Sequence, residues 1–136
     1  MSNSCHCGMR TSFPILLLLF LSGCTSAESW ERVDVEVFDQ AINEHPDVFL
    51  LDVRTTAEWE QDGHLENATL IPHDNLEARV SELPSEKDSL ILLYCRSGNR
   101  SQDAAQTLID LGFTNIVELK SGINGWKDAG MSVSYE

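Results

Sequence analysis

Leu90-Ile91-Leu92-Leu93-Tyr94-Cys95-Arg96-Ser97-Gly98-Asn99-Arg100-Ser101 is the stretch on which the reading of this chain turns. Its first five residues are apolar or aromatic without interruption, the pattern of a strand buried on both faces in a parallel sheet. From Ser101 to Leu111 the period changes, and Ala104, Ala105, Leu108 and Leu111 fall on one side of a helix. Cys95 therefore stands at a strand's carboxyl end, and the residues after it turn into a helix start. A loop so placed aims backbone N–H groups at its own centre, and the helix dipole adds partial positive charge there. Gly98 supplies the backbone freedom that such a curl needs, while Arg96 and Arg100 contribute charge that does not titrate. A free cysteine, with an ordinary pKa near 8.5, is only about 3% thiolate at pH 7. Amides that solvate an anion favour the thiolate and can also hold an anionic donor. Cys95 is the candidate nucleophile, with Arg96, Ser97, Gly98, Asn99, Arg100 and Ser101 as its anion-binding surround.

Working outward, strands and helices alternate. Asp34 can cap a helix carrying Val35, Phe38 and Ile42 that ends before His45-Pro46. Val48-Phe49-Leu50-Leu51 is a second buried strand, ending in Asp52-Val53-Arg54. A short helix over Thr56 to Glu60, a brief strand closed by Ile71-Pro72 and a helix from about Asn75 to Glu82 are expected next. Asn115-Ile116-Val117-Glu118-Leu119 is a further strand. The alternation predicts an α/β fold: a single domain over residues 31–136, with a mostly parallel central sheet flanked by helices on both faces. Its functional groups should gather at the carboxyl ends of the strands.

The amino-terminal residues carry a different signal. Arg10 precedes the apolar run Phe13-Pro14-Ile15-Leu16-Leu17-Leu18-Leu19-Phe20-Leu21, too short for a comfortable bilayer span and of the length of a secretory h-region. Leu21-Ser22-Gly23-Cys24 resembles the lipobox of bacterial lipoproteins, which implies cleavage before Cys24 and acylation of its thiol. Residues 1–23 are then a signal peptide, and residues 24–30 a lipidated cysteine and a polar tether. Several acyl chains give a durable membrane anchor where one alone binds marginally. The resemblance also implies a periplasm-facing place in the cell envelope, with the outer membrane favoured because Thr25, not Asp, follows the cysteine. Cys5 and Cys7 leave with the signal, so no metal site is expected of Cys5-His6-Cys7.

The whole chain has 136 residues and a formal net charge of -13. One domain is the natural reading of that length. Strong acidity disfavours nucleic acid as a partner, and it requires that any anion be drawn in by a local basic site. Of the four cysteines, three fall within the first 24 residues, which leaves Cys95 alone in the domain.

Three ordered motifs resemble the rhodanese family. Leu51-Asp52-Val53-Arg54 with Glu58-Trp59, Gly63-His64-Leu65, Ala68 and Ile71-Pro72 is similar to the family's first signature. Cys95 to Arg100 resembles its six-residue active loop. Leu119-Lys120-Ser121-Gly122-Ile123-Asn124-Gly125-Trp126 with Ala129-Gly130-Met131-Ser132-Val133 is similar to its closing one, with Ser121 where many members carry glycine. The resemblance implies a sulfurtransferase that needs no cofactor. Cys95 would take sulfane sulfur from thiosulfate or a persulfide as a cysteine persulfide and pass it to cyanide, a thiol or a protein acceptor. It also implies that Asp52 and Arg54 are scaffold residues, with Arg54 pairing to Glu58 or Glu60. His64 invites a general-base role, but an already ionised Cys95 needs no proton removed, so His64 reads with Glu58 as structural support that fixes a loop. Trp59 and Trp126 read as packing residues. A carrier or interaction module holding persulfide is the alternative. A phosphatase or arsenate reductase is the more distant one, because Cys95 and Arg100 enclose four residues where phosphatase loops enclose one more.

Overall fold

The computed structural model describes residues 30–136; the signal-peptide, lipidation and Cys5-His6-Cys7 readings lie outside the described residues. The five strands are β1 (Trp30–Val33), β2 (Phe49–Asp52), β3 (Thr69–Leu70), β4 (Ile91–Tyr94) and β5 (Ile116–Leu119). They form one sheet in the order β1-β5-β4-β2-β3, all pairings parallel. The helices are α1 (Val35–Glu44), α2 (Thr56–Asp62), α3 (Arg100–Asp110) and α4 (Gly122–Asp128). β4 lies at the centre, and all four of its residues are buried.

Side-chain alternation along the strands divides the apolar residues between two faces. Leu51, Ile91, Leu93 and Ile116 point to the face covered by Ala104, Ala105 and Leu108 of α3. Leu50, Leu92, Tyr94 and Leu119 point to the other face, against Phe38 of α1 and Ile123 and Trp126 of α4. Phe38 and Trp126 meet edge to face, with ring centroids 6.4 Å apart. Cys95 keeps the parity of Ile91 and Leu93, so the sheet itself directs the thiol toward α3.

Three expectations need correction. Residues 30–33 form β1, the sheet's edge, so Trp30, expected outside the domain, belongs to it and pairs with Ile116. Residues 75–82 are not a continuous helix. Two 3₁₀ turns, His73–Asn75 and Val80–Glu82, flank a non-helical Arg79 (φ −113°, ψ 25°). Leu76 and Leu83 are buried there while Val80 is exposed, and Pro84 forces the residue before it into extended backbone. The brief strand is Thr69–Leu70, ending before Ile71. The closing motif also contains a helix, α4, that its composition of two glycines in seven residues conceals.

A depression of about 550 Å³, lined in part by His45, Pro46, Val48, Pro84 and Leu90, opens at the amino ends of β2 and β4. Cys95 stands at the opposite end of the sheet, so the size of that depression does not locate the chemistry.

Candidate active site

Cys95 follows β4 directly and is 1% exposed, the thiol lying beneath its own loop. Among the described residues it is the one free cysteine. Its Sγ accepts a hydrogen bond from the Gly98 N–H at 3.1 Å and donates toward Ser101 Oγ at 3.4 Å. The loop curls because its carbonyls are taken by other groups. Ile123 N–H donates to the Cys95 carbonyl at 2.9 Å and Asn124 N–H to the Arg96 carbonyl at 3.1 Å. The Gly98 carbonyl accepts from Gln102 Nε2 at 2.8 Å and Arg32 Nη2 at 3.1 Å. With these carbonyls engaged outside the loop, the Gly98 N–H is left to meet the sulfur.

Gly98 has φ +92°, and a Cβ there would overlap the Lys120 carbonyl. Gly122 has φ +63°, and a Cβ would run into the backbone of Cys95 and Arg96. The start of α4 therefore packs directly under the reactive loop. Ser121 tolerates its position because its own φ is −90° and because Gly125 leaves room for its side chain, which occupies the space a Cβ at 125 would need.

The two arginines of the loop behave differently. Arg96 is exposed and has no ion-pair partner among the described residues. Arg100 is bound in bidentate fashion to Glu58, Nη1–Oε2 at 2.7 Å and Nη2–Oε1 at 2.6 Å, so its charge is largely engaged by a carboxylate. Glu58 also closes a capping box at the start of α2: Thr55 N–H donates to it at 3.0 Å, and Thr55 Oγ1 accepts from the Glu58 N–H at 3.2 Å. Arg100, with Thr55 adding to it against the opposing effect of burial, draws the Glu58 carboxyl down to about 2. Ser97 and Asn99 are exposed, and the Asn99 side chain makes no capping bond to α3.

Arg54 pairs with neither Glu58 nor Glu60, contrary to expectation. It is fully buried against Asp52, with Nη2–Oδ2 at 2.7 Å, and it donates to the Gly63 carbonyl at 2.7 Å. The two-residue spacing lets Asp52 also accept from the Arg54 N–H at 2.9 Å, a local closure that outcompetes the partners on α2. The guanidinium carbon lies 5.7 Å from the centre of the Tyr94 ring. Burial, reinforced by the Asp52 charge, raises the Tyr94 hydroxyl far above its ordinary range, and that hydroxyl accepts from Leu65 N–H at 3.1 Å. His64 is buried and lies flat on Trp59, centroids 3.5 Å apart, with its ring nitrogens against the carbonyls of Leu65 and Glu136 at 3.0 and 2.8 Å. It makes no contact with Sγ among these bonds and ties the 63–65 turn to residue 134 through paired backbone bonds.

Sequence reasoning missed Glu118, Arg32 and Trp30. Glu118 is fully buried and accepts from Trp30 Nε1 at 3.1 Å, Arg32 Nε at 2.8 Å and Ser101 Oγ at 2.6 Å. The available signal was a lone carboxylate inside an apolar strand, which a buried parallel strand does not tolerate without partners.

Fold and site together define a class: a doubly covered parallel α/β domain that holds one cysteine at the end of its central strand, under a loop whose Gly98 N–H donates to the sulfur. Comparison with known proteins makes this specific. Residues 34–129 match the model of the Rhodanese-like domain, and the chain belongs to the rhodanese-like family. It is 35% identical over 102 residues to a protein named Sulfurtransferase from Allochromatium vinosum, spanning 75% of this chain and 92% of that one. It is 32% identical over 101 residues to the putative sulfur carrier protein YrkF of Bacillus subtilis, spanning 74% of this chain and 53% of that one. The crystal structure of a rhodanese-related protein from Thermoplasma volcanium superposes with a TM-score of 0.64 at 29% identity, covering 78% of this chain and 99% of that one. Sulfur transfer is the general chemistry these relatives support.

Proposed function

We propose that the domain is a sulfurtransferase that carries sulfane sulfur on Cys95. The observation that carries this reading is the Gly98 N–H aimed at Sγ inside a loop whose carbonyls are tied outward. The Cys95 thiolate attacks the outer sulfur of thiosulfate, the S–S bond of the donor breaks, and sulfite leaves with the bonding pair. The product is a Cys95 persulfide whose terminal anionic sulfur replaces the donor at the loop amides. A nucleophilic acceptor, cyanide, a thiol or a protein cysteine, then takes that sulfur and regenerates the thiolate. Arg96, the free cation of the loop, is the group that meets an anionic donor. Arg100 serves through Glu58 by fixing the loop to α2.

The test is intact-mass analysis after thiosulfate exposure, paired with thiocyanate formation from cyanide. The wild-type chain should gain the mass of one sulfur, removable by reductant, and should turn over by double displacement; Cys95→Ser should do neither. Equal thiocyanate formation by wild type and Cys95→Ser would sink the reading. A persulfide carrier serving a dedicated partner is favoured by one observation, the near-complete burial of Cys95; a chain that loads sulfur but releases it to small acceptors hardly at all would select it. We further propose, from the lipobox-like residues 21–24, that Cys24 is acylated and that the domain works in the cell envelope.

A further inference from the structure

Glu118 lies outside the reactive loop, yet it is one hydroxyl away from the reactive sulfur. Ser101 Oγ stands 2.6 Å from Glu118 Oε1 and 3.4 Å from Cys95 Sγ. A serine hydroxyl has a single proton to donate. The bond to a buried carboxylate is short and charge-assisted, so that proton lies toward Glu118, and Ser101 turns a lone pair to the sulfur. The thiol fits this arrangement: its S–H donates to Ser101 while the Gly98 N–H donates to Sγ. A thiolate has no proton to give. To solvate it, Ser101 would have to turn away from Glu118 and leave a buried carboxylate short of a donor.

We propose that Glu118 is a positioning residue that, by holding the Ser101 proton, favours the protonated thiol of Cys95 and so sets the pH at which Cys95 becomes nucleophilic. This rests on the reading of Cys95 as the nucleophile. The charged groups on the elements bordering the loop are Arg32 on β1, Glu118 on β5, Arg100 on α3 with Glu58 on α2 against it, the exposed Arg96, and the Asp52–Arg54 pair at the end of β2, beside Tyr94. Of these, Glu118 meets Sγ through one hydrogen-bonded side chain. Its other oxygen, Oε2, accepts from both Trp30 Nε1 and Arg32 Nε, and Oε1 takes a longer second bond, 3.3 Å, from Arg32 Nη2. In Glu118→Gln the amide oxygen keeps the two shorter bonds at the Oε2 position, and the NH₂ group faces Ser101 at the expense of the long contact with Arg32 Nη2. The serine must then accept, and its proton is released toward Sγ.

The experiment is the pH dependence of Cys95 alkylation by iodoacetamide in the full chain, followed on the peptide containing Cys95 by mass spectrometry. Glu118→Gln should lower the midpoint by about one unit, the scale of one hydrogen bond to an ionised group. Ser101→Ala, which removes the acceptor of the thiol proton, should lower it as well. The double variant should match Ser101→Ala alone. A midpoint that stays or rises in either single variant overturns the proposal, as does a further fall in the double variant, because Glu118 would then act directly through its charge. Should Glu118→Gln show no cooperative thermal transition, Ser101→Ala decides by the same signs. Alkylation needs no sulfur donor. These shifts in a chain that transfers no sulfur would leave this proposal standing and remove the function above.

Discussion

At Gly98 the backbone does what no other residue type could do there cheaply. Its φ of +92° lies in the region that L side chains avoid, and a Cβ would overlap the Lys120 carbonyl. Gly98→Ala should cost about 2–4 kcal/mol of stability. It should also slow sulfur transfer about 100-fold, because the N–H that meets Sγ is displaced; urea unfolding and thiocyanate formation measure the two. Wild-type activity in a stable Gly98→Ala variant would show that the amide is dispensable. Cys95 and Gly98 were legible from sequence because a thiol between a buried strand and a helix start has few other uses. Glu118 was not, since its partners come from Trp30, Arg32 and Ser101, all remote in sequence. Arg54 was misassigned for the opposite reason: the acceptor two residues away, Asp52, was overlooked in favour of helical neighbours.

Between elements, the Arg100–Glu58 pair joins the start of α3 to the start of α2. Glu58 is held down to about 2, chiefly by Arg100, from an ordinary 4.5. A depressed acid stabilises the fold above its unfolded value, and that contribution is lost as pH falls through the folded one. The pair should therefore contribute about 1–3 kcal/mol at pH 7, allowing for its partial exposure, and lose it between roughly pH 4.5 and 2. Glu58→Gln should be less stable than wild type at pH 7, with the difference shrinking across that window; urea midpoints at pH 7, 4 and 3 check this. A constant difference would assign the loss to packing. The alternation of strand and helix was readable because β2, β4 and α3 carry unambiguous periods. β1 was hidden: four residues at a sheet edge, of which Glu31 and Arg32 are exposed, show neither an apolar run nor sustained alternation. The 75–82 segment looked helical because Leu76, Val80 and Leu83 fall at helical spacing, yet only the two leucines reach the core.

For the molecule as a whole, the net charge is -13, against a site proposed to take an anionic donor. The proposed cleavage before Cys24 would remove Arg10 and no acid, and would make the remainder one unit more acidic. The proposed anchor predicts that the full chain, expressed in a bacterial host, sediments with membranes and carries the mass of a diacylglyceryl group on Cys24. Cys24→Ala should release it. Membrane association that survives Cys24→Ala would exclude acylation at that residue.

Arg32 and Glu118 are separated by 86 positions, and Arg32 also grips the Gly98 carbonyl. The loop is thus finished by a strand made early and a strand made late. A nascent chain that has emerged only as far as residue 101 already contains every residue from Cys95 to Ser101, but not the frame that shapes them. Such long-range closure is among the slower events of folding. If the protein is exported unfolded, its thiol acquires its chemistry only after the last strand has arrived. Reactivity then reports a completed chain, and a truncated product would be inert without any separate safeguard.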